Sequence, residues 1–181
     1  SLVWRIPTEE KELFLTFDDG PVPGPTEFVL DELAKRNCKA TFFCIGDNVR
    51  KHPQVFEKVV AAGHAVGNHT FHHLKGWNSD RKTYADNVKM CDEVFHQVLP
   101  ASDRASMFRP PYGRITRAQI GDLNAYKIIM WDVLTMDYRR SLSQENCLRE
   151  SVRASRTGSI VVFHDSYKAE RNMTFTLPRY L

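Results

Sequence analysis

Long hydrophobic runs are missing from this chain: the longest, such as Ile128-Ile129-Met130-Trp131 and Ile160-Val161-Val162-Phe163, fall far short of the ~18 residues a membrane-spanning helix needs. No membrane span is expected in this chain. Blocks of like charge are missing too. Arg139-Arg140 and the group Arg153, Arg156 are scattered, which suits solvated surface better than a phosphate track. Lys+Arg 25 against Asp+Glu 22 gives a net charge of +3 and a pI near 8.7, below the ~9 typical of a nucleic-acid-binding domain. No nucleic-acid partner is expected. The four cysteines, Cys38, Cys44, Cys91 and Cys147, include no C-x-x-C pair, so the spacing of a structural zinc site is absent and buried free thiols are the expectation. Their spacing does not decide the redox compartment. The chain starts at Ser1 with no basic segment leading into an apolar stretch, which leaves the form of the natural precursor open.

What is present is an ordinary globular composition, 42% hydrophobic and 26% charged, which excludes disordered and fibrous classes. A length of 181 residues is one domain's worth at about 100–200 residues per domain. A complete eight-unit βα barrel takes about 250 residues, so any barrel here is short or incomplete.

Strand-like and helix-like segments alternate, the pattern of parallel βα units. Six strands are expected at residues 13–17, 40–45, 65–68, 107–108, 127–131 and 159–163. Helices are expected at 26–37, 53–62, 79–99, 116–125 and 143–156. Ser79 or Asp80 is the expected N-cap of the long helix and Pro100 lies just past its end.

The chemistry-bearing residues collect at strand ends: Asp18-Asp19 after the first expected strand, His69 after the third, Arg109 after the fourth, Asp132 after the fifth and His164 after the sixth. Carboxyl ends of parallel strands converge on one face, where barrel enzymes build their sites. A bare Asp-Asp-Gly is equally at home in a turn. However, His69-Thr70-Phe71-His72-His73 sets His69 and His73 four apart, a spacing that on one helical turn points both imidazoles the same way. With one strand-end carboxylate they make three protein ligands, the number a catalytic zinc site uses while keeping an open position. The glutamate of H-E-x-x-H is absent, so the base must come from elsewhere, and the second carboxylate of the Asp18-Asp19 pair can supply it. Such a metal acidifies water and polarises a carbonyl. His164 suits a general acid if a carboxylate keeps it protonated, and Arg109 beside two carboxylates would hold one ionised. Because Pro110 and Pro111 have no N–H, the first amide available to an oxyanion there is that of Tyr112.

In motif order these segments strongly resemble the NodB-type polysaccharide deacetylases, the fourth carbohydrate esterase family, from about residue 13 to 165. Thr16-Phe17-Asp18-Asp19-Gly20-Pro21 resembles the first motif, which implies Asp18 as base and Asp19 as metal ligand. His69-Thr70-Phe71-His72-His73 resembles the histidine motif, which implies His69 and His73 as ligands with His72 outside the coordination shell. Arg109-Pro110-Pro111-Tyr112-Gly113 resembles the groove-wall motif, with Arg109 holding the base, and Val162-Phe163-His164-Asp165 resembles the last motif, with His164 as acid. The fourth motif departs from the pattern D-x-x-D-W: Leu134 stands where its first Asp aligns and Tyr138 where its Trp aligns. The carboxylate partner of His164 is then Asp132, Asp137 or Asp165, with Asp137 preferred. Trp131, Leu134 and Tyr138 are expected either to line an acetyl-sized apolar pocket or to sit in the core.

The resemblance implies an α/β fold, a single deformed and incomplete TIM-like (β/α) barrel of about six or seven parallel strands spanning residues 1–181. It also implies a divalent metal, usually Zn2+ with Co2+, Ni2+ or Fe2+ as alternatives, and removal of acetyl groups, foremost N-acetyl, from an acetylated glycan. Oligomeric state is open, and a cell-envelope or extracytoplasmic location is suggested by the resemblance alone. Two rivals stand beside this reading: a two-His-one-carboxylate iron enzyme, since the ligand set suits non-haem iron, and a non-catalytic glycan-binding module, motivated by the altered fourth motif. Residues 176–181 are expected to begin a helix that the natural protein continues.

Overall fold

Phe14-Leu15-Thr16-Phe17-Asp18 is a β-favouring run whose side chains alternate between two surroundings, and that alternation organises the molecule. The computed structural model describes residues 1–99 and 106–181; Pro100 lies outside the described residues. The strands are β1 (Leu2–Val3), β2 (Phe14–Asp18), β3 (Thr41–Cys44), β4 (Ala65–Asn68), β5 (Met107–Phe108), β6 (Lys127–Ile129), β7 (Val133–Leu134) and β8 (Ile160–His164). The helices are α1 (Pro25–Lys35), α2 (Gly46–Lys51), α3 (Pro53–Ala61), α4 (Arg81–Val98), α5 (Arg117–Asp122), α6 (Gln144–Ala154) and α7 (Glu170–Tyr180). Single 3-10 turns occupy Gly76–Asn78 and Pro111–Gly113.

All eight strands lie in one sheet in the order β1-β6-β5-β4-β3-β2-β8-β7, and every strand pair in it is parallel. The sheet curls, and among the described residues no strand pairing joins its edges β1 and β7. The segment following β1 crosses this seam instead. The Ile6 N–H donates to the Gly158 carbonyl at 3.0 Å, Arg5 bridges Ser159 in antiparallel fashion, and the Arg5 guanidinium reaches Asp132 at 3.3 Å.

Leu15 and Phe17 of β2 point toward the helices, where the Phe17 ring stacks on Phe42 of β3 at 5.1 Å and on Phe163 of β8 at 5.8 Å. Val29 and Leu33 of α1, Phe56 of α3, Phe95 of α4, and Met173 and Leu177 of α7 close this cluster. Burying each such side chain is worth about 1.5–3 kcal/mol. Thr16 and Asp18 point the other way, into the barrel, where they meet the fully buried Arg109. A second cluster of Tyr84, Val88, Phe108, Leu123, Ile128 and Met130 supports the β5–β6 side. The cysteines are free thiols, with Cys44, Cys91 and Cys147 buried and Cys38 half-buried.

The helix starts follow sequence signals: Asp80 accepts from the Thr83 N–H at 2.9 Å to cap α4, Thr116 and Gln119 form a capping box on α5, and Ser143 caps α6. Among the described residues the strands number eight rather than six or seven. The two additional strands, β1 and β7, are two residues each, too short to leave a periodic signature. The last helix begins at Glu170 and places Thr176 in its middle, so residues 176–181 do not begin it. Its buried stripe, Asn172, Met173, Thr176 and Leu177, is half polar, which hid its first turns.

Candidate metal and acid-base site

The carboxyl end of β2 delivers Asp18 at the mouth of the barrel. Arg109 Nη1 donates to Asp18 Oδ1 at 2.7 Å and to Thr16 Oγ1 at 2.7 Å, while its Nη2 donates to the Met130 carbonyl at 2.9 Å. Phe43 of β3 lies 4.1 Å beneath the guanidinium. Arg109 is therefore a buried cation with Asp18 as its counter-charge, not a wall of the open groove.

Asp19 follows in a left-handed conformation, φ 80, which turns its carboxylate across the strand ends. Its Oδ1 lies 3.2 Å from His73 Nε2 and 3.7 Å from His69 Nε2, yet it is buried without a hydrogen-bond partner. One ligand atom from each of Asp19, His69 and His73 falls within 4.8 Å of the others. A buried, unsatisfied carboxylate oxygen facing two imidazole nitrogens is a costly arrangement on its own. This donor set matches the composition of a divalent-metal site, so the residues fit the cation that the sequence implies. His69 Nδ1 lies 2.8 Å from the Arg109 carbonyl. A ring N–H donated there leaves the Nε2 lone pair aimed at Asp19.

The two histidines do not converge through a helical turn. Residues 69–73 form an irregular loop with positive φ at Thr70 (62) and His73 (55), and local hydrogen bonds hold it in that shape. Asn68 Oδ1 accepts the Thr70 N–H at 2.8 Å, and Asn87 Oδ1 accepts the N–H groups of Phe71 and His72, both at 2.9 Å. Asn68 is itself anchored on Asp92 and the Val88 carbonyl, both at 2.8 Å. His72 points outward, exposed. Asn87 was not anticipated. Its only trace in the sequence is an amide on the otherwise apolar buried face of α4.

His164 ends β8, and its Nδ1 lies 2.7 Å from Asp137 Oδ1 while its backbone N–H donates to Asp137 Oδ2 at 2.7 Å. Of the three carboxylates considered for this position, Asp137 alone touches the ring among the described residues. Asp132 accepts from Ser159 and the Ile160 N–H and pairs with Arg5 and Arg156. Asp165 accepts the Gly20 N–H at 3.1 Å and the Thr26 hydroxyl at 2.7 Å.

Charge sorts these groups by task. Burial alone would push His164 down, but Asp137, with Asp19 and Asp18 further off, outweighs it and lifts the imidazole to about 9. Burial takes His69 down to about 4, so it is neutral at pH 7. Burial opposes ionisation of Asp19 too, but the His73 contact and the His164 charge, joined by His69 once that ring is protonated at acid pH, override it and hold the carboxyl well below the usual range.

Tyr112, Trp131, Leu134, Tyr138 and His164 line one cleft of about 500 Å³ together with Asp18, Asp19 and the two histidines. Trp131, Leu134 and Tyr138 line this cleft, and Trp131 and Tyr138 at the same time pack against the core clusters. Tyr112 has φ 60, its ring packs 4.6 Å from that of His73, and its N–H makes no hydrogen bond among the described residues. Asp137 and Arg109 stand behind the cleft, each pressed against a lining residue. Sequence reasoning missed Lys75, Arg114 and Lys168, which line the same cleft.

Residues 5–130 match the family model described as polysaccharide deacetylase. A peptidoglycan-N-acetylglucosamine deacetylase of Bacillus cereus is 31% identical over 162 residues, covering 88% of this chain and 58% of the relative. A chitooligosaccharide deacetylase of Rhizobium leguminosarum bv. trifolii is 31% identical over 160 residues, covering 87% of this chain and 73% of the relative. Among solved structures, the Bc1960 peptidoglycan N-acetylglucosamine deacetylase, in complex with 4-naphthalen-1-yl-N-oxidanyl-benzamide, superposes with a TM-score of 0.92 at 27% identity, covering 99% of this chain and 84% of that one. The chain thus spans 58% of the length of the B. cereus relative.

Proposed function

The chain belongs to the polysaccharide deacetylase family, and from that premise we propose that it is a metal-dependent hydrolase removing N-acetyl groups from the amino sugars of a peptidoglycan- or chitin-like glycan. The observation that carries this reading is the pairing of opposite functions around one donor set: an Arg109-held carboxylate, Asp18, on one side, and an Asp137-held imidazole, His164, on the other. Asp19, His69 and His73 would hold the cation. When bound, a divalent ion there supplies Lewis-acid polarisation of the acetyl carbonyl and lowers the pKa of a water in its shell.

The chain's own residues do the rest. Asp18, oriented by the Arg109 guanidinium, takes a proton from the attacking water. The Tyr112 N–H donates to the carbonyl oxygen as negative charge develops on it. His164, cationic at neutral pH, gives its proton to the amide nitrogen as the carbon–nitrogen bond breaks, releasing acetate and a free amino sugar. Asp137 fixes the ring so that Nε2 faces the cleft. The bonded His164–Asp137 pair weighs against a purely glycan-binding role, because binding alone has no use for a buried proton donor.

The test is acetate release from N-acetylglucosamine oligomers by metal-stripped protein reloaded with Zn2+, Co2+, Ni2+ or Fe2+. Activity is expected to vanish on stripping and to return on reloading. Asp18→Asn is expected to lower the rate by about 10²–10⁴-fold while metal content, measured by elemental analysis, stays at the unmodified level. Unchanged turnover in Asp18→Asn would remove the base assignment, and oxygen-dependent turnover with Fe2+ would favour the oxygenase rival.

A further inference from the structure

Three cations rim the cleft, and the chemistry above uses none of them. Lys75 lies on the loop after β4, Arg114 on the turn after β5, and Lys168 on the loop after β8. In the sheet order, β4 and β5 are neighbours, while β8 lies beyond β3 and β2. The basic groups therefore stand on both flanks of Asp18. Arg114 and Lys168 are exposed and Lys75 is half-buried. None of the three pairs with a carboxylate among the described residues, whereas Arg36, Arg50, Lys51, Lys58 and Arg81 do. Aromatic rings hold two of them in place: the Arg114 guanidinium sits 4.1 Å over Trp77, and the Lys168 ammonium 5.2 Å over Tyr138, a cleft residue. Among the described residues, the only carboxylates lining the cleft are Asp18 and Asp19. Asp18 is neutralised by Arg109, and Asp19 faces two imidazoles.

Unpaired cations on both walls of a groove focus the field into it, and at ionic strengths near 0.1 M their reach is about 10 Å, the span of a sugar or two. Resting on the deacetylase reading, we infer that Lys75, Arg114 and Lys168 select glycans that carry carboxylates, such as lactyl ethers, peptide stems or uronic acids, over neutral amino-sugar chains of the same length. The three side chains determine specificity and take no part in bond breaking.

The experiment compares N-acetylglucosamine–N-acetylmuramic acid oligomers, the same oligomers bearing peptide stems, an N-acetylglucosamine–glucuronic acid oligomer, and neutral N-acetylglucosamine oligomers of matched length. Each is assayed at low and high salt with the unmodified protein and with Lys75→Gln/Arg114→Gln/Lys168→Gln. A preference for the carboxylate-bearing chains of about fivefold or more in kcat/KM, carried by KM, is expected at low salt, since several weak exposed contacts each contribute a small factor. That preference should shrink at high salt and approach one in the triple variant. A preference for peptide-bearing chains alone would assign the source to stems, and one shared with the glucuronic acid oligomer would assign it to carboxylates in general.

A ratio insensitive to both salt and substitution would overturn the inference while leaving the deacetylase reading intact. Acetate release from none of the glycans would overturn that reading instead. The affinity ratio for the same ligands, measured by titration calorimetry, then decides the charge preference without turnover. The salt series on the unmodified protein needs no variant to fold.

Discussion

Asp137 uses both carboxylate oxygens on one residue, one on the His164 ring and one on the His164 backbone N–H, and this fixes the imidazole's position as well as its charge. Met136, at φ 56, bends the chain so that Asp137 returns toward β8. Because the raised pKa of His164 depends on that negative charge, Asp137→Asn should lower it. The acid form needed for proton donation is present below the folded pKa and is lost as pH rises through it, which for the unmodified site is about 9. The alkaline limb of the pH–kcat/KM profile should therefore fall near 9 in the unmodified protein and move down by roughly one to two units in Asp137→Asn. The rate at pH 7 should drop by about 10²-fold or more. An unmoved alkaline limb would show that the limb belongs to another group.

At this scale the sequence was most legible where a residue's chemistry is its signature: Asp18, Asp19, His69, Arg109 and His164 all stand at strand ends as anticipated. Two things were not legible. The convergence of His69 and His73 comes from positive φ and Asn87 rather than helical spacing. The partner of His164 depended on a backbone turn at Met136 that residue order does not encode in any periodic way.

Among the elements, the β2–α1 connection shows how little space the site leaves. Asp165, just after β8, holds the Gly20 N–H and the Thr26 hydroxyl, tying the loop that carries Asp19 to the neighbouring strand. A Cβ on Gly20 would lie 2.0 Å from Asp165 Oδ2. Gly20→Ala must push the loop or the carboxyl aside, at a cost of about 1–3 kcal/mol, read as a lower thermal midpoint. Because Asp19 immediately precedes Gly20, weaker metal binding in the folded variant is expected alongside. An unchanged midpoint with unchanged metal content would mean that the loop yields freely. The glycine was visible in the sequence as part of a turn. Its reason, a carboxylate 145 positions away, was not, because contacts across the sheet leave no local pattern. The same limit hid α2, a six-residue helix opening on Gly46, and the two-residue edge strands.

For the whole molecule, the alternation of strands and helices made a parallel sheet legible from the sequence, since parallel neighbours need crossover connections, while its curling into an incomplete barrel was legible only through the family resemblance. The way its seam is crossed, by Arg5, Ile6 and Asp132, was not. Curling the sheet around Arg109 also buries titratable groups whose charge the whole fold must support, and this sets its pH response. Asp165 is held up at about 8, first by burial and then by the Asp19 charge against the pull of Thr26 and Gly20. The folded state thus keeps a proton that the unfolded chain releases near 3.8, and the resulting stability declines as pH rises between the two values. His164 acts in the same direction over a higher window: its folded pKa is raised, so its contribution is complete below about 6.5 and lost as pH climbs to about 9. His69 opposes this trend near pH 6.5, where the unfolded imidazole is half protonated and the folded one neutral, and falls silent as pH approaches 8. The unfolding free energy should therefore fall from pH 6.5 to 8, by at most about 1.4 kcal/mol per pH unit for each group. Asp165→Asn, a neutral mimic of the protonated carboxyl, should remove one of the two slopes, so that its stability relative to the unmodified protein rises steadily with pH across that interval. Urea titrations at pH 6.5, 7.25 and 8 measure this directly, and parallel curves for the two proteins would mean that Asp165 is already ionised within the fold.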